Sequence, residues 1–193
     1  ERIYLAGLSM GGSLALLVAL RLPVRGVIAM ATPFDLGHDW RLRVIRLLAI
    51  LRPFLPKNTT PPGADWYDKQ AFQDYVSYPC NPVRSIIELR KLLELMRSGL
   101  PQVTQPVLLM HSRQDDYPIE GSMPLIYERL GSQDKEAVWV EGSGHVITLD
   151  AQRETVFGAA AGFITRIEAM EHIGRHAVPA PAAPLPKNLL TTN

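Results

Sequence analysis

A serine flanked by glycines sits in the stretch "RIYLAGLSMGGSLALLVAL", residues 2 to 20, where Gly7-Leu8-Ser9-Met10-Gly11 makes a G-x-S-x-G pattern. A serine that acts as a nucleophile must leave the backbone at the apex of a sharp, strained turn, which leaves little room for side chains two residues before and after it. Glycine at 7 and 11 is expected to supply that room. The residues after it, Ser13 to Leu20, read as a helix, and the run Ile3-Tyr4-Leu5 before it reads as a strand. The helix would aim its first N–H groups and its positive dipole end at the turn, so the Met10 N–H is a candidate donor to an oxyanion. The five-residue pattern is a weak signal by itself. Its partners have to carry the case.

A serine hydroxyl is a poor nucleophile until a base takes its proton, and the usual base is a histidine held by a carboxylate. Two loops that follow apolar, strand-like runs offer these groups: "HSRQDD" after "PVLLM", and "EGSGH" after "KEAVWV". His145, in a glycine-flanked turn, is the candidate base. Asp115 and Asp116 both stand as candidate acids, and the residues alone do not separate them. Of the other four histidines, His111 on its strand is expected to be core or hydrogen-bonded packing and His38 lies in an insertion. His172 and His176 are four apart at the end of the last helix, where a metal site would need further ligands that the sequence does not offer. No metal or organic cofactor is expected.

The elements that must position these groups alternate. Apolar runs at 24–33, 105–116 and 135–145 follow the first strand, with helical patterns at 81–99, 123–130 and 151–167 between and after them. The helix at 81–99 is expected to start from an Asn81 cap with Pro82 in its first turn and to end at Gly99. Alternation of this kind predicts an α/β fold with about four parallel strands and flanking helices, over residues 1–170.

Two segments break the alternation. Residues 35–80 form an insertion, and "WRLRVIRLLAILRPFL" within it puts Trp40, Val44, Leu47, Leu48, Leu51 and Leu55 on one helical face with Arg41, Arg43, Arg46 and Arg52 off it. This segment is expected to lie as a small helical cap over the strand ends, and a basic amphipathic helix also suits the surface of a membrane. Residues 177–193, "AVPAPAAPLPKNLLTTN", are rich in proline and alanine and read as an extended, disordered tail.

Composition bounds the rest. A chain of 193 residues, 47% hydrophobic and with a net charge of +1, is a one-domain globular protein with no basic surplus to attract nucleic acid. One cysteine, Cys80, excludes an internal disulfide; it is expected to be unreactive, and a cytoplasmic location is the default that follows. No uninterrupted apolar run is long enough for a membrane-spanning helix.

With "GLSMGG", "PVLLMHSRQDD" and "GSGHVITLD" on the page, the chain from Arg2 to about Ala169 resembles the bacterial carboxylesterases and monoacylglycerol lipases of the α/β-hydrolase superfamily. The resemblance implies Ser9 as nucleophile, Asp115 as the acid and His145 as the base, in the chain order of that superfamily. It also implies hydrolysis of short- to medium-chain acyl esters through an acyl-enzyme, with 35–80 as the cap over the acyl pocket. Leu47, Leu48, Leu51 and Phe54 are the candidate substrate-binding residues, for a small apolar ester rather than a peptide. Members of the superfamily carry further strands and a second oxyanion donor ahead of the elbow strand, so the chain reads as the C-terminal part of a longer enzyme. The competing expectations are a thioesterase or acyltransferase using the same triad, and a catalytically dead module that binds lipid or a partner.

Overall fold

The computed structural model describes residues 2–37, 44–56, 63–115 and 121–176, the last six of these by backbone alone. Four parallel strands form one sheet in the order β1 (Tyr4–Leu8), β2 (Gly26–Met30), β5 (Val107–Ser112), β6 (Lys135–Val140). Registers run Tyr4 beside Gly26, Val27 beside Val107 and Val107 beside Lys135. Every pairing in this sheet is parallel, so each strand ends on the same edge, where the loops of an open parallel sheet gather their functional groups.

The two central strands are buried along their whole length, which is why they read as unbroken apolar runs rather than alternating ones. Val27, Ala29, Val107 and Leu109 face one layer, made by α1 (Met10–Ala19), α4 (Val83–Gly99) and α5 (Ser122–Arg129), with Leu16, Leu93, Met96 and Ile126 at its heart. Ile28, Met30, Leu108 and Met110 face the other, covered by α6 (Arg153–His176) through Val156, Phe163 and Ile167. This α6 extends nine residues beyond the 167 at which the helical pattern was expected to stop. None of the described helices is long and apolar enough to cross a membrane.

Between β2 and α4 the chain makes an excursion containing α2 (Ile45–Leu51), α3 (Lys69–Asp74) and a two-stranded antiparallel ribbon of β3 (Phe54–Pro56) and β4 (Cys80–Pro82). Here three expectations are corrected. Asn81 does not cap α4: it pairs with Leu55 in the ribbon, and Pro82 is the residue that precedes the helix. The long amphipathic helix is only seven residues in α2, because Arg52 turns extended and Pro53 leads into β3. Its inward residue is Ile45, whereas Leu47 and Leu51, on the face expected to pack, are 57% and 68% exposed. Trp40, Arg41 and Arg43 fall outside the described residues, as do His38 and the tail 177–193.

Candidate active site

β1 ends at Leu8 and α1 starts at Met10, so Ser9 alone makes the turn, at φ 56° and ψ −121°. A non-glycine residue in that region is strained, and the strain is held by the Ser9 N–H donating to the Met30 carbonyl at 2.7 Å and by its own carbonyl accepting from Gly12 at 3.0 Å. The adjacent strand repeats the feature: Ala31, directly after β2, has φ 45°. Crowding at the turn is real but differs from the expected pattern. A Cβ on Gly7 would lie 2.1 Å from the Gly11 carbonyl oxygen and one on Gly12 would meet Thr32 Oγ1 at 1.9 Å, while a Cβ on Gly11 would meet nothing. The glycine needed after the serine is thus Gly12, where α1 crosses the end of β2.

The other two strand ends bring the partners. Ser9 Oγ is 2.9 Å from His145 Nε2, and His145 Nδ1 is 2.8 Å from Asp115 Oδ2 and 3.0 Å from Oδ1. A hydroxyl, an imidazole and a carboxylate therefore stand in series on loops 106 and 30 residues apart in sequence. Both latter side chains are well shielded, at 14% exposure for His145 and 4% for Asp115. Asp116 lies outside the described residues.

The "HSRQD" residues fasten the acid loop to the histidine loop. The Ser112 hydroxyl donates to the Ser143 carbonyl and accepts from the Gln114 N–H at 3.0 Å. Gln114 Oε1 accepts from the Gly142 N–H at 3.0 Å, and the Arg113 N–H donates to the Val140 carbonyl at 3.0 Å. His111 is buried, as expected of it, but is not simply packing: its Nε2 lies 2.9 Å from Asp115 Oδ2. The signal that would have found this is the i, i+4 spacing of a strand-end histidine and a loop aspartate.

A second buried carboxylate was missed by sequence reasoning. Asp150, 1% exposed, accepts four backbone N–H groups: Tyr67 at 2.9 Å, Asp68 at 2.6 Å and Ala151 at 2.8 Å on Oδ1, and Gly144 at 2.7 Å on Oδ2. Asp68 in turn caps α3 through Gln70 and Ala71 and receives Arg153 Nη1 at 2.9 Å. Those backbone bonds, Ala71 first, and the Arg153 hydrogen bond hold the Asp68 carboxyl below its ordinary pKa.

The remaining candidates are more dispersed. Met10 opens α1 with its side chain half exposed, and its N–H, in the first turn, has no acceptor within the helix. Leu47, Leu51 and Phe54 are exposed and Leu48 is half-buried. Cys80 is a half-buried thiol in β4. His172 and His176 fall in the last turns of α6. Among the described residues, no cluster of His, Cys, Asp and Glu is arranged to hold a metal ion.

The sequence profile of the alpha/beta hydrolase family matches residues 1–159, more than four fifths of the chain and the whole of the sheet. The chain belongs to the α/β hydrolase family. Among its relatives is a carboxylesterase of Bacillus subtilis (strain 168), 24% identical over 168 residues that cover 87% of this α/β hydrolase and 65% of the relative. A thermostable monoacylglycerol lipase of Bacillus sp. (strain H-257) is 25% identical, with 86% and 64% covered. This α/β hydrolase chain thus spans just under two thirds of the length of these relatives. Among solved structures, one from the metagenome-derived lipolytic enzymes LipS and LipT superposes with a TM-score of 0.76 at 28% identity, over 86% of this chain and 66% of that one. The Paleococcus ferrophilus monoacylglycerol lipase superposes at 0.72 and 18% identity, over 86% and 69%, a likeness of fold.

Proposed function

We propose that this α/β hydrolase chain carries the catalytic centre of a serine carboxylic-ester hydrolase. The observation that carries the reading is the continuous Ser9–His145–Asp115 relay at 2.9 and 2.8 Å. With its proton on Nδ1 and directed to Asp115, His145 Nε2 accepts the Ser9 proton as Oγ attacks the ester carbonyl. The tetrahedral oxyanion is stabilised by the Met10 N–H at the positive end of α1. Collapse of the intermediate expels the alcohol, protonated by His145, and leaves an acyl-enzyme; water then repeats the sequence with His145 again as base. Every step is a proton transfer or acyl transfer within these groups.

Short- to medium-chain acyl esters are the proposed substrates, in keeping with relatives named carboxylesterase and monoacylglycerol lipase. The 35–80 excursion acts as the cap, and Leu47, Leu48, Leu51 and Phe54 supply apolar surface for the acyl chain. The exposed apolar side chains of α2, flanked by Arg46 and Arg52, also suit contact with a lipid surface from which such esters are drawn.

The test is hydrolysis of p-nitrophenyl acetate to octanoate by the intact gene product containing these 193 residues, with fluorophosphonate labelling, each beside Ser9→Ala. Turnover and labelling that both vanish in Ser9→Ala are expected. A folded protein that turns over acyl-CoA thioesters instead, or that neither turns over ester nor labels at Ser9, overturns the reading.

A further inference from the structure

The excursion lies directly on the loop that carries the catalytic histidine. A Cβ on Gly144, the residue before His145, would come within 1.9 Å of the Asp65 carbonyl oxygen, so the two backbones touch at a point where no side chain fits. Beside this contact Asp150 holds both partners at once, with Oδ2 on the Gly144 N–H and Oδ1 on the Tyr67 and Asp68 N–H groups. The outer side is closed by Arg153, which opens α6 and holds the Asp68 carboxylate. A chain of contacts thus runs from α6 through Asp68 and Asp150 to the Gly144 N–H, one residue ahead of His145.

We propose that Asp150 is a positioning residue that couples the seating of the excursion on the sheet to the placement of the His145 ring. Asp150 touches neither Ser9 nor the site of acyl transfer; it acts through the Gly144 N–H of the Ser143–Gly144 peptide, one residue ahead of His145. Its two oxygens face N–H donors on both sides, so the bridge fails if either oxygen is replaced by a donor. Asparagine does this in either orientation: its NH2 faces the N–H of Gly144, or those of Tyr67 and Asp68. When the excursion is well seated, Gly144 is drawn toward Asp150 and the imidazole stands between Ser9 and Asp115. When it lifts, the same bond pulls on the histidine loop, and a displacement of about an ångström there is worth up to about a hundredfold in rate. The catalytic half of this inference rests on the esterase reading above; the mechanical half does not.

A double-variant cycle in the intact gene product tests both halves. On a small water-soluble ester, Asp150→Asn lowers kcat tenfold or more while KM changes less than about twofold, because the acid–base relay is disturbed and the pocket is not. Arg153→Gln, far from Ser9, lowers kcat by a smaller factor, and the double variant is no slower than Asp150→Asn alone. Losses that multiply, or an Arg153→Gln enzyme with unchanged kcat and only a lower Tm, overturn the coupling. Amide hydrogen exchange supplies the arm that needs no turnover: Gly144, Tyr67 and Asp68 N–H groups slow in the wild type and accelerated together by Arg153→Gln are expected. Acceleration at Tyr67 and Asp68 with Gly144 unchanged overturns the proposal even if Asp150→Asn does not fold, and a protein that hydrolyses no ester fails the functional reading alone.

Discussion

His111 and His145 share one oxygen of Asp115: Oδ2 is 2.9 Å from His111 Nε2 and 2.8 Å from His145 Nδ1. The Asp115 carboxylate is therefore gripped from the strand beneath it as well as by the His145 ring. Because the His111 ring is buried against β6, where it sits beside the Trp139 indole with ring centres 6.1 Å apart, it has little freedom to leave that oxygen.

His111→Ala removes one of these two grips without touching Ser9 or His145. We expect kcat to fall several-fold to about tenfold with KM nearly constant, the size of a lost close polar contact to a carboxylate. His111→Gln, which keeps an N–H donor, recovers part of the loss. Equal kcat in all three proteins would reduce His111 to packing.

Glycine substitutions around Ser9 separate into two outcomes. Gly7→Ala forces a Cβ against the Gly11 backbone and is expected to destabilise by several kcal/mol or to prevent folding, since neither main chain can retreat. Gly11→Ala meets open space inside a helix and should be neutral or stabilise by up to about 1 kcal/mol. Urea midpoints for the two variants check this directly.

The Arg2–Tyr4–Glu168 contact makes stability depend on pH at both extremes. Burial first, and then the 2.7 Å hydrogen bond to Glu168, push the Tyr4 hydroxyl up to about 12. A raised value in the folded state stabilises fully below the ordinary tyrosine range near 10, and that contribution disappears as pH climbs from about 10 to 12. Glu168 is held below its ordinary range, by the Arg2 hydrogen bond first and the Tyr4 one second. Its contribution is present above that range and is lost as pH falls through the lowered value. Tyr4→Phe should flatten the alkaline decline in Tm and Glu168→Gln the acidic one. Unchanged slopes in both variants would disprove the assignment.

Contact with a lipid surface is tested at Ile50, which is 78% exposed on α2 and outside the proposed acyl pocket. Ile50→Asp is expected to lower sedimentation with anionic phospholipid vesicles several-fold and to leave hydrolysis of a soluble short-chain ester unchanged. Equal sedimentation of the two proteins would remove the membrane from consideration.

The members of the Ser9–His145–Asp115 series were legible in part because each follows an apolar run within a few residues and a parallel sheet brings such positions to one edge, while the choice of Asp115 over Asp116 came from the resemblance and not from the residues. The excursion was not. Its strands are three residues long and contain prolines, and α3 is six mostly polar residues, so neither shows a period long enough to read. Periodicity found an apolar stripe on α2 but could not say which way it faces; that depends on packing against α4, where Ile45 turns in and Leu51 turns out. Asp150 was not singled out from the sequence because its partners, Tyr67 and Asp68, lie more than 80 residues earlier. His111 was read as core or hydrogen-bonded packing without a named partner, since its tie to Asp115 needs the loop after β5 to fold back over the strand.

The seam between the excursion and the histidine loop is written in main-chain atoms. The groups that meet Asp150 and Gly144 are the N–H groups of Tyr67 and Asp68 and the carbonyl of Asp65, which any residue other than proline could present. Selection can therefore rewrite the exposed Tyr67 side chain, and with it what the excursion presents outward, without renegotiating its hold on the His145 loop, while Trp66 between Asp65 and Tyr67 stays fixed by burial against Phe72 and Tyr75. The outer surface of the excursion and its attachment to the His145 loop are free to drift at different speeds in this architecture, the one carried by exchangeable side chains and the other by main-chain groups gathered on a single aspartate.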